Sequence, residues 1–94
     1  MQDDYRRLWA GVIERYVTLV VFVDGWAYSD GCAFEFFVAK AHDLGTVDQR
    51  ESPIGLDVGM VAIRSAIADL QGVDDVAFLG RVLEALGRLA YARI

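Results

Sequence analysis

His42 is the only histidine in the chain; it stands beside Asp43 and follows Glu35 by seven residues. Positions seven apart share a helix face, so Glu35 and His42 could form a carboxylate–histidine pair of the kind that orients a metal ligand or a base. A metal site needs three or four ligands at fixed spacing, and no further ligand stands in such a pattern. His42 therefore reads as a surface histidine near a helix end. Cys32, the single cysteine, follows Gly31. A helix amino terminus at that point would favour the thiolate, but a nucleophile also needs a base within hydrogen-bond reach. His42 lies ten residues on, more than two helical turns away. Cys32 reads as a small packed side chain.

Asp24-Gly25 and Asp30-Gly31 pair a carboxylate with a glycine. The alternating Asp/Asn ligands and closing glutamate of a calcium loop are missing, so both pairs read as turns. No glycine is followed by Lys-Ser or Lys-Thr, which excludes a phosphate loop. No catalytic residue, metal or cofactor is assigned, and the chain is expected not to be an enzyme.

Trp26 and Tyr28 stand out in a different way. They lie in the short connection from Asp24 to Gly31, flanked by acids. Large aromatic side chains on a loop bury much area at low entropy cost, which makes them common anchors in protein interfaces. The competing use is to fold back as a lid on the core.

The charge around them is uneven. All of the net charge of −5 falls in residues 24–57, where Asp24, Asp30, Glu35, Asp43, Asp48, Glu51 and Asp57 face only Lys40 and Arg50. An acidic chain with one lysine cannot release counterions from phosphates, so direct nucleic-acid binding is excluded. A basic protein surface is the complementary partner. The expected partner-binding residues are Asp24, Trp26, Tyr28, Asp30, Asp48, Glu51 and Asp57.

Ninety-four residues suffice for one domain, 1–94, and a 55% apolar share with a single proline excludes disorder. The longest uncharged apolar run, Tyr16 to Val23, is far short of the ~20 residues of a membrane span. With one cysteine and no signal-peptide core after the first residues, the chain is expected to be cytoplasmic.

The elements that must position these residues read as helices. Tyr5, Leu8, Trp9, Val12, Ile13, Tyr16, Val20 and Val23 recur at three-and-four spacing, predicting a helix over 3–23. A second helix carries Phe34, Phe37, Val38, Ala41 and Leu44 on one face and stops at Gly45. Ser52-Pro53 resembles a helix start, and Leu56, Met60, Ile63, Ile67 and Leu70 follow. After Gly72, with Asp74 or Asp75 as cap, the last helix is apolar around most of its circumference. The resulting expectation is an all-α, four-helix domain that forms a homodimer through Phe78, Val82, Leu86 and Leu89. Gly80 and Gly87 would allow close approach of another helix. The β-branched run Val17–Val23 offers an alternative, an α+β fold with a hairpin at residues 17–39 whose second strand is Ala33–Ala39.

Functionally, a short acidic chain without chemistry has the profile of an inhibitor or regulator of a larger protein assembly. By analogy of size and charge, the phage and mobile-element anti-defence proteins (anti-CRISPR-like) are of this kind. The alternatives are a structural self-assembly subunit and a small dimeric ligand-binding protein or enzyme using His42, Glu35 or Glu14.

Overall fold

The computed structural model describes residues 19–92. Strand β1 (Leu19–Phe22) is followed by a 3-10 turn (Trp26–Tyr28), helix α1 (Asp30–Ala41), strand β2 (Gly45–Asp48), helix α2 (Leu56–Leu70) and helix α3 (Ala77–Ala92). The two strands pair in parallel, Leu19 opposite Gly45 and Phe22 opposite Asp48. Parallel neighbours require a crossover, and α1 provides it. The architecture is thus a small α+β fold, with α2 and α3 added to a β1–α1–β2 unit.

This corrects the four-helix expectation. Residues 19–22 form a strand, although they continue the apolar stripe of the helix read over 3–23. The part of that helix before Leu19 lies outside the described residues. The hairpin alternative fails too, because residues 33–39 are helical and the partner of β1 is 45–48. Side chains at i and i+2 in β1 fall on opposite sides from i+1. Accordingly Phe22 is buried while Leu19 and Val21 are exposed.

Local chemistry explains the joints. Gly25 has φ +86°, a conformation that costs glycine little. Ser29 caps α1, its hydroxyl accepting the Cys32 amide at 3.3 Å, and Asp30 in the first turn suits the helix dipole. Helix α1 ends before Gly45. Asp43 takes the left-handed position (φ 55°), the Leu44 amide donates to the Ala39 carbonyl at 2.8 Å, and the Asp43 amide donates to the Lys40 carbonyl at 3.2 Å. That bond pair closes a helix end in the Schellman manner, and it frees Gly45 to open β2.

Residues 45–53 contain β2 and a tight return. Val47 bridges Pro53 antiparallel, and the Ile54 amide donates to the Thr46 carbonyl at 2.8 Å. The Thr46 hydroxyl donates to the Ile54 carbonyl at 2.7 Å. Pro53 therefore sits on a sheet edge, where a missing amide costs nothing, and α2 starts at Leu56 rather than at Ser52-Pro53.

The core gathers Phe22, Trp26, Phe36, Ile54, Ile63, Ala66, Leu79, Val82 and Leu86. Its aromatic part is a cluster: Trp26 stacks on Phe36 at 4.7 Å between centroids, and Phe22 lies 5.1 Å from Trp26 and 5.6 Å from Phe36. Helix α3 packs against both α1 and α2, and the 3-10 turn bridges α1 and α2.

Candidate functional site: an acidic cleft at Tyr28

Tyr28 ends the 3-10 turn with its ring half out of the protein, 47% exposed. Its hydroxyl donates to the carboxylate of Asp69 on α2, 41 residues away in sequence. That hydrogen bond, with the repulsion an adjacent carboxylate exerts on a phenolate, raises the Tyr28 pKa above its ordinary 10.0. The phenol stays protonated across the physiological range and fixes the edge of the ring.

Behind that ring opens a cleft of about 510 Å³, bounded by Tyr28, Asp30, Asp74, Asp75, Phe78 and Arg81 among others. It lies between the amino-terminal ends of α1 and α3, because Gly72 (φ +86°) turns the chain after α2 and brings Asp74 and Asp75 opposite Asp30. Asp75 accepts the Ala77 amide at 2.9 Å and Asp74 accepts the Asp75 amide at 2.8 Å. These local bonds hold the two carboxylates at the start of α3, where the dipole favours them. Three carboxylates, those of Asp30, Asp74 and Asp75, line the cleft with one guanidinium, that of Arg81, which itself lies 5.6 Å over the Phe78 ring; Asp69 holds the Tyr28 hydroxyl from outside the lining. The arrangement suits a cation that carries an apolar stem.

The remaining expected contact residues are placed apart from this cleft or inside the protein. Trp26 is buried on Phe36, so it is the lid on the core. Asp24 pairs with Arg50 at 2.9 Å and exchanges hydrogen bonds with Gln49 at the carboxyl ends of the strands. Both partners are mostly exposed, so the pair adds little stability. Asp48 serves the return loop, its Oδ1 accepting the Arg50 amide at 2.8 Å and the Ser52 amide at 3.0 Å. Glu51, with φ 65°, and Asp57, in the first turn of α2, are exposed. Of the seven, Tyr28 and Asp30 meet in the cleft; Asp69, Asp74 and Asp75 join them from a stretch that looks electrically neutral in sequence. The sequence marks Asp74 and Asp75 only as helix caps and Asp69 not at all; the chain reversal at Gly72 is what sets Asp74 and Asp75 beside Asp30.

Val82 and Leu86, expected to face a second subunit, are buried in the core of the chain itself, while Phe78 and Leu89 are half-buried. The small-residue contact with a neighbouring helix occurs at Gly59. A Cβ there would lie 2.1 Å from Cζ of Phe36, whereas one at Gly87 would meet Met60 at 3.7 Å and one at Gly80 nothing within 4 Å.

The candidate chemistry is equally dispersed. Cys32 is half-buried in the first turn of α1, and His42 is exposed as its carboxyl-terminal cap, about 15 Å farther along the axis at 1.5 Å per residue. Glu35 is half-buried, and desolvation pushes its carboxyl above the ordinary 4.5. Glu14 lies outside the described residues. Among the described residues no three potential ligands group to hold a metal ion, and no helix is long and apolar enough to cross a membrane.

Comparison of the chain with protein-family models, curated proteins and solved structures gives no match.

Proposed function

We propose that the protein is a small acidic protein-binding module that inhibits or regulates a larger protein assembly in the cytoplasm, without turning over a substrate. The observation that carries this reading is Tyr28: an exposed aromatic ring, held by Asp69, at a cleft lined by Asp30, Asp74 and Asp75. Such a site takes a lysine or arginine side chain of a partner. The carboxylates neutralise its head group, and the Tyr28 ring packs on its stem or stacks on a guanidinium plane. Size and charge match the anti-defence proteins that phages and mobile elements use against host assemblies, an analogy that sets a class of target to look for.

The test is quantitative affinity capture from extract of the source organism. Wild type is compared with Tyr28→Ala/Asp69→Lys and with Glu84→Lys, a charge reversal on the exposed side of α3. A partner held by wild type and Glu84→Lys, lost from the double variant and weakened by added salt, is expected. Equal capture by all three proteins would refute the cleft as the contact.

A further inference from the structure

The two-stranded sheet has two edges, and they are treated differently. On the β2 side the chain returns and covers the edge, with Val47 bridged to Pro53. On the β1 side no strand pairs among the described residues. β1 itself, Leu-Val-Val-Phe, contains no charge, proline or bulge, the devices by which natural sheets guard an edge. Its outward side chains are apolar as well: Leu19 is 53% exposed, Val21 56% and, just past the strand, Val23 60%. The register sets Val47 of β2 beside Val21 on the same face.

We infer that this edge and face are the contact between two copies of the chain, with β1 of one protomer pairing antiparallel to β1 of its partner about a two-fold axis near Val21. Three observations favour a second copy over a different protein. First, an isologous strand pair consumes both open edges at once and stops, so it closes where a head-to-tail contact would propagate. Second, antiparallel pairing about Val21 sets Leu19 of each protomer opposite Val23 of the other, so apolar side chains meet apolar ones at every position. Third, Asp24, the charge that follows β1, is bound at 2.9 Å by Arg50 of its own chain. Two acidic protomers can therefore approach there with that carboxylate already paired, and a basic partner would find it occupied. The contact is separate from the Tyr28 cleft and does not depend on the proposed function; the expected dimer through α3 is replaced by one through β1.

Light scattering at tens of micromolar, with three proteins, tests the inference. Wild type is expected at twice the 10.4 kDa of the chain. Val21→Lys, which changes an exposed side chain, is expected at the single-chain mass with an unchanged circular dichroism spectrum. Val21→Cys in a Cys32→Ala background is expected to oxidise to a covalent dimer, because a residue near the axis faces its own copy. That arm keeps the test decisive if Val21→Lys does not fold. A wild-type monomer overturns the inference, and a monomer in which the thiol introduced by Val21→Cys resists thiol reagents would assign the face to residues 1–18 of the same chain. A Val21→Lys protein that remains dimeric places the interface elsewhere and overturns it equally.

Discussion

The ring of Phe36 rests on the backbone of Gly59: a Cβ at residue 59 would fall 2.1 Å from Cζ and 2.2 Å from Cε2 of that ring. This contact locks α1 to α2, and it fixes the ring on which Trp26 stacks. Phe36 is fully buried and cannot retreat without disturbing Phe22 and Trp26. Gly59→Ala gains helix propensity of up to ~1 kcal/mol but forces an overpacked core that costs ~1–3 kcal/mol. At so short a distance the clash is at the upper end of that range and wins, and urea unfolding should show a net loss of roughly 1–2 kcal/mol. An unchanged midpoint would mean that the helices separate freely at this point.

Tyr28 carries a pH signature. Its pKa is raised first by the hydrogen bond to Asp69, so the stabilisation from that bond is fully present below the ordinary 10.0 and disappears as pH climbs through the higher folded value. Absorbance titration of the phenolate, taken as the difference between wild type and Tyr28→Phe, isolates this residue from the other three tyrosines. Its midpoint should lie above the ordinary tyrosine value and fall toward it in Asp69→Asn. A midpoint insensitive to residue 69 would break the pairing that shapes the cleft edge.

Glu35 has the same pH direction from a different cause, burial in place of a hydrogen bond. Burial raises its carboxyl pKa, so the ionised form opposes folding fully above the folded value, and the opposition is gone below the ordinary 4.5. Glu35→Gln should therefore raise the thermal midpoint slightly at neutral pH, a small effect because the group is only partly withdrawn from solvent. The gain should vanish as the pH falls through the carboxylate range. A loss of stability at neutral pH would show instead that the charge at Glu35 is used.

Asp48 is a loop brace more than a charge. Two amides, those of Arg50 and Ser52, share its Oδ1, and they hold Glu51 at φ 65°. Asp48→Ala should lose about 1 kcal/mol and speed amide exchange at residues 50 and 52. Asp48→Asn, which keeps an accepting oxygen, should retain most of the stability. If Ala and Asn behave alike, the hydrogen bonds are not what holds the loop.

The sequence makes α2 and α3 visible because both repeat apolar residues at helical spacing, and Asp75 does bond the first amide of α3. It hides the sheet. Gly45–Asp48 is four residues with a single valine, and its partner lies 26 positions earlier, so no local pattern announces the pairing. It hides Gly59 as well, since a glycine inside an amphipathic run gives no sign of the ring that will need its space. The cleft is half legible: Tyr28 and Asp30 stand out by type and neighbourhood. Asp69, Asp74 and Asp75 do not, because a turn at Gly72 rather than sequence proximity brings them to the same surface.

The most direct measurement on the acidic cleft is a ¹⁵N–¹H NMR titration of the whole chain with a short arginine-rich peptide at low salt. If the cleft is the contact surface, amide shifts should concentrate at residues 28–31 and 69–75. They should be lost in Tyr28→Ala/Asp69→Lys and leave Glu51 and Asp57 nearly still. Shifts spread evenly over all exposed carboxylates, or centred on residues 48–57, would contradict it.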